Sequence, residues 1–196
     1  HHNQDPLTSP KYDNADGLEI CYIPTGFTNT VKGCRFWSNS DDGIDLWKND
    51  GIAVIDNCWS WNNGFIPDTY ETAGNGSGFK LGITSINHGT KVLRLIRNCV
   101  AYNNRVRGFD QNNALCSMEL FNNTAFGNGT NGFVFNYEEI FCKVKNCISY
   151  KNALPPGISK SSIVDRNVFS DNNAKAEDSS LSDNDFISLD GSQLLR

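Results

Sequence analysis

The chain has 196 residues, and its 17 Lys and Arg are outnumbered by 22 Asp and Glu, which gives a formal net charge of −5. This length is enough for one domain with a single core. The negative charge disfavours nucleic acid or an anionic membrane surface as a partner, and an anionic polymer would need a metal ion or a local basic patch to bind. No apolar run approaches the roughly 18 residues of a transmembrane helix, and no signal peptide opens the sequence.

Composition and spacing predict strands instead of helices. Gly is abundant, with 17 residues, and Met occurs once. No segment carries apolar residues at the spacing of an amphipathic helix. Short apolar runs alternate with clusters of Asn, Gly, Ser and Asp, which is typical of short strands separated by turns. We therefore expect an all-β protein.

From residue 33 onward, the sequence repeats the pattern Asn-Cys-x-x-aromatic-x-Asn. The clearest copies occupy residues 57–63, 98–104 and 146–152, and the related copies occupy 33–39, 122–128 and 166–172. The second positions of the copies fall at 34, 58, 99, 123, 147 and 167, so successive steps are 24, 41, 24, 24 and 20 residues. A fixed period of this size is typical of a repeat architecture.

A second repeat, Gly-apolar-x-apolar, lies between copies of the first, at residues 17–20, 43–46, 78–81, 108–111 and 132–135. Several short strands in each unit of about 24 residues predict a β-solenoid, because one unit cannot bury its own apolar face. We expect one parallel β-helix domain over residues 1–196. Residues 1–173 would form the regular coils, and residues 174–196 an irregular segment packed on the helix.

In a solenoid, each strand pairs with its copy in the next coil, so equivalent residues form columns. We expect the Cys, aromatic and Asn positions of the first repeat to form internal columns, with Asn also suited to the turns. The seven cysteines are odd in number, so at least one is free. We interpret them as free, buried thiols, although stacking leaves disulfides between neighbouring coils open.

The single step of 41 residues carries an insertion around residues 65–76. Extra residues in a solenoid emerge as a loop on one face, often the binding face. Lys80 follows this insertion directly.

The second repeat aligns charged residues on the strands. Its x position points away from the core and is occupied by Glu19, Asp45, Lys80, Asp110 and Val134 in successive coils. The residues before each Gly are Asp16, Asp42, Ser77, Arg107 and Asn131, and Asp41 stands beside Asp42. Crowded carboxylates raise one another's pKa unless a cation lies among them, and oxygen ligands favour Ca²⁺. Asp16, Asp41, Asp42 and Asp45 are therefore the predicted metal ligands.

Simpler interpretations exist for each of these residues. Asp41 and Asp42 precede a glycine and would also suit an ordinary turn. Lys80 between Asp45 and Asp110 could belong to a plain ladder of ion pairs, which would oppose a neutral lysine. Arg107 could be a solvated surface residue, and His88 a turn or edge residue.

Four segments resemble polysaccharide lyase family nine over roughly residues 1–150: residues 14–17, 39–46, 76–82 and 108–113. The resemblance implies a right-handed parallel β-helix that cleaves pectic polymers by β-elimination. It assigns calcium binding to the four aspartates and the role of catalytic base to Lys80. Arg107, Asp110, Asn112 and His88 are the expected substrate contacts. The resemblance also implies that the chain is the central part of a larger β-helix, without its terminal coils.

From this resemblance we expect a secreted, periplasmic or cell-surface enzyme of a pectin-degrading bacterium, acting as a monomer on an acidic pectic polysaccharide. Ca²⁺ would bind the uronate carboxylate while neutral Lys80 removes the C5 proton, leaving a 4,5-unsaturated product, with activity rising toward alkaline pH. The sequence does not distinguish polygalacturonate from rhamnogalacturonan I. An inverting pectin hydrolase and a non-catalytic carbohydrate-binding solenoid remain as alternatives.

Overall fold

Each coil of the chain contributes one strand to each of three six-stranded parallel sheets. This computed structural model describes residues 1–171 and 182–183. The expected irregular segment 174–196 therefore lies outside the described residues, apart from positions 182 and 183. The described part of the chain contains no helix that is long and apolar enough to cross a membrane.

The strands follow one another in the same order in every coil. The first sheet contains β1 (Leu18–Glu19), β4 (Ile44–Asp45), β7 (Phe79–Lys80), β10 (Phe109–Asp110), β13 (Phe133–Phe135) and β16 (Gly157–Ile158). The second sheet contains β2 (Thr28–Lys32), β5 (Ile52–Asp56), β8 (Gly89–Arg97), β11 (Cys116–Phe121), β14 (Cys142–Lys145) and β17 (Ile163–Asp165). The third sheet contains β3 (Arg35–Trp37), β6 (Trp59–Trp61), β9 (Val100–Tyr102), β12 (Thr124–Phe126), β15 (Ile148–Tyr150) and β18 (Val168–Ser170).

The strand register confirms the predicted β-solenoid with about 24 residues per coil. In the first sheet, Asp45 pairs with Lys80, and Lys80 pairs with Asp110. Glu19 pairs with Asp45 at the start of the same column. The second repeat therefore aligns one strand per coil, as equal spacing in the sequence requires.

The glycine of the second repeat is required by close contact between coils. A Cβ atom on Gly43 would lie 1.9 Å from Ser60 Oγ and 2.6 Å from the carbonyl oxygen of Gly78. The apolar residues that follow point into the core, where Ile44, Phe79 and other side chains are fully buried. The pattern Gly-apolar-x-apolar thus encodes a backbone that approaches its neighbour closely and buries alternate side chains.

The asparagine that ends the first repeat forms the predicted internal column. Its buried members are Asn39, Asn63, Asn104, Asn128 and Asn152. Each donates its backbone N–H and one side-chain N–H to the side-chain oxygen of the next member, with side-chain distances of 2.8 to 3.0 Å. Asp171 accepts the same two bonds from the last asparagine. The column, which we call the asparagine ladder, satisfies its polar atoms from coil to coil.

The aromatic column is buried, as expected, with Trp61, Tyr102, Phe126 and Tyr150 all 9% exposed or less, but it is distinct from the main core. Its rings do stack, with centroids 5.0 Å apart for Trp37 and Trp61 and 5.5 Å apart for Trp61 and Tyr102. They form a cluster separate from the main core, however. Side chains alternate along each short strand of the third sheet, and the small middle residue, such as Ala101, faces the crowded interior. The aromatic residue beside it therefore lies on the opposite side of the strand, in this second buried cluster.

All seven cysteines are free, and five of them are buried. The stacked thiols of Cys58 and Cys99 lie within the main core. They act there as small apolar side chains, as expected.

Candidate functional site

The exposed face of the first sheet carries a cleft of about 290 Å³ next to the predicted catalytic lysine. Strands β4 and β7 place Asp45 and Lys80 side by side and outside the core, because each occupies the x position of the second repeat. The lining residues are Asp13, Asn14, Asp16, Glu19, Asp41, Asp45, Trp47, Asn75 and Lys80. We call this the aspartate cleft.

Lys80 forms two short ion pairs inside this cleft. Its Nζ lies 2.8 Å from Asp42 Oδ2 and 2.9 Å from Asp45 Oδ2. The Lys80 side chain is 14% exposed, and the Asp42 side chain is fully buried. Asp110 stands in register with Lys80, but its carboxylate pairs with Arg107 at 2.7 Å. The predicted ladder of ion pairs therefore exists on one side of Lys80 and includes Asp42, which the sequence pattern had not paired with it.

Two further carboxylate groups, those of Asp16 and Asp41, meet beside Asp42. Asp16, Asp41 and Asp42 each place one carboxylate oxygen within 4.8 Å of the other two. The backbone N–H of Asp42 donates to Asp16 Oδ1 at 2.9 Å, which connects the first and second coils. The structure thus brings together all four predicted metal ligands and Lys80, since Asp45 contacts the same ammonium group as Asp42.

Burial and crowding shift the ionisation of this cluster. Burial is the main cause that raises the pKa of Asp16 to about 9, followed by the charges of Asp42 and Asp41. Burial also raises the pKa of Asp45 to about 6, against the opposing charge of Lys80. It raises the pKa of Asp41 and Asp42 as well. Burial alone would lower the pKa of Lys80, but the charges of Asp42 and Asp45 outweigh it and hold that pKa above its ordinary range.

The insertion supplies backbone donors that the sequence pattern did not reveal. The loop folds back on itself through an antiparallel bridge between Phe65 and Thr72. It then returns to the cleft, where the N–H of Asn75 donates to Asp41 Oδ1 and the N–H of Ser77 donates to Asp42 Oδ1 at 2.5 Å. The available sequence signal was position alone, because Asn75 lies at the end of the insertion and Ser77 directly follows it.

The donor set fits a hard divalent cation. Aspartate oxygens from two adjacent coils converge in one small volume, which suits Ca²⁺ better than softer metals. Asp45 Oδ1 is buried and has no hydrogen-bond partner in the part of the chain that the structure describes. A buried carboxylate oxygen without a partner is costly unless a ligand satisfies it. Asp16, Asp41, Asp42 and Asp45 are therefore the residues that would hold the ion.

A second cleft of about 280 Å³ lies farther along the same sheet and contains three of the predicted substrate contacts. Arg107, Asp110 and Asn112 line it, and the N–H of Asn112 donates to Asp110 Oδ1 at 2.9 Å. The Arg107 side chain is 39% exposed and keeps donors available. The side chains of Tyr137 and Asn113 complete the rim of this cleft.

His88 is not brought to either cleft. Its backbone N–H donates to the carbonyl of Leu115, which holds it just before β8, and its side chain is buried. The ring nitrogen Nε2 lies 2.7 Å from Asp50 Oδ1. His88 therefore connects two turns between the first and second sheets, close to the simpler interpretation of this residue.

Arg94 supports the site from inside the solenoid. Its side chain is fully buried, an unusual place for a cation. The guanidinium donates to the carbonyl of Leu81 at 3.2 Å and to those of Asn49 and Gly51. These carbonyls follow the strands of Lys80 and Asp45, so the arginine holds the two strand ends together. Sequence reasoning missed it because a single arginine in a long strand resembles a surface residue.

The chain is similar to known proteins in both sequence and structure. A family model described as the Pel9A-like right-handed β-helix region matches residues 1–173. Pectate lyase L of Dickeya dadantii (strain 3937) is 35% identical over 197 residues, covering 95% of this chain and 43% of that protein.

Two solved structures are also similar. A rhamnogalacturonan lyase aligns with a TM-score of 0.77 and 28% identity, covering 100% of this chain and 52% of that chain. The crystal structure of pectate lyase Pel9A aligns with a TM-score of 0.72 and 31% identity, covering 92% and 42%. The chain spans about half the length of these relatives. Because the family model covers most of the sequence, the chain belongs to the Pel9A-like right-handed β-helix family.

Proposed function

We propose that the protein is a calcium-dependent polysaccharide lyase that cleaves polygalacturonate by β-elimination. The observation that carries this proposal is the aspartate cleft, where Lys80 contacts Asp42 and Asp45. With Asp16 and Asp41 beside them, four carboxylates share this one ammonium group. Relatives named pectate lyase L support the reaction class. A structural neighbour named rhamnogalacturonan lyase supports rhamnogalacturonan I as the second candidate substrate.

In this proposal, neutral Lys80 Nζ removes the C5 proton of a uronate. The C4–O bond then breaks to leave a 4,5-unsaturated sugar, and the departing oxygen takes up a proton from water. Asp42 and Asp45 orient the lysine through contacts of 2.8 and 2.9 Å. A bound divalent cation would offset the aspartate charges, weaken their hold on the lysine proton and attract the uronate carboxylate. Arg107 lies farther along the sheet, where its guanidinium would bind a carboxylate of another sugar.

Polymers of this kind are too large to enter cells, and we propose that the protein acts as a secreted, periplasmic or cell-surface enzyme. In this proposal, a bound divalent cation and the local cations Lys80 and Arg107 offset the repulsion between an acidic polymer and a chain with a net charge of −5.

The test is the ultraviolet absorbance of the unsaturated product, measured on polygalacturonate and rhamnogalacturonan I with calcium or with a chelator. We expect the chelator to abolish activity and Lys80→Met to lower kcat about 10²–10⁴-fold, the usual contribution of a general base. Lys91→Met is the matched control, because Lys91 is exposed and lies outside both clefts.

Three results would contradict the proposal. Unsaturated product formed by Lys80→Met at the wild-type rate would remove the base assignment. New reducing ends without an unsaturated product would indicate a hydrolase. Polymer binding without any product in calcium would indicate a non-catalytic solenoid.

A further inference from the structure

Trp47 is the aromatic residue among those that line the aspartate cleft. It follows Leu46, which is fully buried, and stands in a turn closed by the Asn49 N–H donating to the Leu46 carbonyl at 3.1 Å. Asn49 is also fully buried. The indole is therefore attached to a fixed turn, two residues beyond Asp45.

Two neighbours complete a patch around this indole. Tyr22, from the preceding coil, meets Trp47 edge-on with ring centroids 5.2 Å apart. The Nζ of Lys48 lies 4.4 Å from the centroid of the Trp47 ring and 5.7 Å from that of Tyr22. Tyr22 is 63% exposed, so the patch faces solvent. Its three side chains extend the cleft across two coils.

The charges at this rim differ from those inside the cleft. Five carboxylate side chains line the aspartate cleft, and Lys80 is already paired with two aspartates. A sugar carboxylate beside the cluster would be repelled there unless another cation were near. Lys48 is an exposed cation with no carboxylate partner among the described residues, and its contacts are with the two aromatic rings.

We propose that Trp47, Tyr22 and Lys48 form a sugar-binding platform that holds one uronate residue of the polymer beside the aspartate cleft. The C–H face of the pyranose ring packs on the indole, as apolar surfaces pack on aromatic rings, and Lys48 pairs with its carboxylate. This inference deepens the proposed function and relies on it for the polymer class. It assigns a part of the substrate to residues for which neither the family resemblance nor the repeat pattern predicted a role.

The experiment measures binding without turnover. Calorimetric titration of the Lys80→Met protein with a galacturonate oligomer, in calcium, gives the Kd. We expect Trp47→Ala to raise Kd about tenfold, the size of one good aromatic contact. Lys48→Met should raise Kd about threefold, with the difference shrinking at high salt.

The chain offers a matched control in Trp59. Arg35 lies over the Trp59 ring at 4.3 Å, so this pair repeats the aromatic–cation arrangement, but on the third sheet and away from both clefts. Trp59→Ala should leave Kd unchanged. Trp47→Phe is a second, smaller change in case the alanine variant is unstable. If binding of the oligomer to the parent changes its tryptophan fluorescence, this variant should remove that change.

The outcomes separate this inference from the lyase assignment. Equal Kd values for Trp47→Ala, Trp59→Ala and the parent overturn the platform, as does an equal loss in both variants. Equal affinity for a neutral galactose oligomer overturns the role of Lys48. If the wild-type protein forms no unsaturated product and binding still depends on Trp47, the lyase assignment fails and the platform stands.

Discussion

The asparagine ladder and the aspartate cluster (Asp16, Asp41, Asp42 and Asp45) are both sets of buried polar side chains on successive coils. They differ in whether the polar atoms of these side chains have hydrogen-bond partners. Every ladder side chain from Asn39 to Asn128 donates to its neighbour at 2.8 to 3.0 Å. In the cluster, Asp45 Oδ1 has no hydrogen-bond partner among the described residues, and burial raises the pKa of Asp16 to about 9. A satisfied network stabilises the fold, whereas the cluster is costly until a ligand completes it.

Members of the asparagine ladder and of the aspartate cluster lie close together in the sequence, so the two can be compared position by position. Asn39 belongs to the ladder, and Asp42 follows it after three positions. Three positions after the ladder residues of later coils stand Arg107 and Asn131, neither of which is acidic. The ladder therefore continues through the described coils, while the cluster is confined to the first two. A column that stabilises the fold has the same residue type in every coil. A binding site is expected where the residue type at one repeat position differs between coils.

The largest expected effect is on the ladder. Asn104→Leu removes the acceptor of Asn63 and a donor to Ser60 and Asn128. Because the orphaned groups stay buried, we expect a loss of about 3 kcal/mol or more in the free energy of unfolding. Urea denaturation followed by circular dichroism measures it.

The control for this variant is Asn87→Ala, since Asn87 is exposed and its side chain, within the described part of the chain, accepts a hydrogen bond only from the nearby Gly89 N–H. It should change the urea midpoint little. If Asn104→Leu unfolds at the wild-type urea concentration, the ladder is not what stabilises the stacking of coils.

The second prediction concerns pH, and its sign follows from the raised pKa values. Asp16 has an ordinary pKa of 3.8 and a folded pKa of about 9, so the folded chain binds more protons between these values. Stability of the metal-free protein should therefore fall as pH rises from about 4 to about 9. Lys80, whose pKa is raised from 10.5, contributes a constant amount in this window. Melting temperatures in a chelator measure the decline.

Asp42→Asn should reduce the loss of stability between these pH values by an amount of the order of 1 kcal/mol. Among the neighbouring charges, that of Asp42 contributes most to the raised pKa of Asp16. Calcium should raise the melting temperature more at pH 8 than at pH 5, since protons compete with the ion for the carboxylates. Asp56→Asn is the control. Hydrogen bonding to Asn98 lowers the pKa of Asp56 below its ordinary value of 3.8, so this substitution should leave the decline between about pH 4 and about pH 9 unchanged. An unchanged slope in Asp42→Asn would show that the aspartates do not act as a coupled cluster.

Most of the fold was predictable because strand pairing in a solenoid converts equal sequence spacing into spatial columns. The same spacing in the sequence predicts that Asp16, Asp41, Asp42, Asp45 and Lys80 lie together. Side-chain partners were not predictable, because they depend on rotamers, and so the pairing of Lys80 with Asp42 came only from the structure.

Features outside the repeat were harder to predict. The backbone donor at Asn75 depends on how the insertion folds, which no periodicity encodes. The separation of the aromatic column from the main core could have been predicted, since the small residues Ser60 and Ala101 between larger ones already indicated which side of each strand faces that core. The predicted metal, substrate and roles of individual residues stay predictions that the experiments above test.

The smallest expected effect tests whether Lys80 differs from an ordinary ion-pair ladder. Glu119 and Lys143 are paired in register on the second sheet, with Lys143 Nζ 3.2 Å from Glu119 Oε1. Their side chains are 26% and 27% exposed, against 14% for Lys80, so solvent screens the pair more strongly. Lys143→Met should lower the free energy of unfolding, measured by urea denaturation, by less than about 1 kcal/mol. Added salt should reduce this loss, and polymer cleavage should stay unchanged.

Lys80→Met should change both cleavage and the pH dependence of stability, because removing its charge leaves Asp42 and Asp45 without their counter-ion. Equal behaviour of the two variants would reduce Lys80 to a structural ion pair and leave the aspartate cleft without a base.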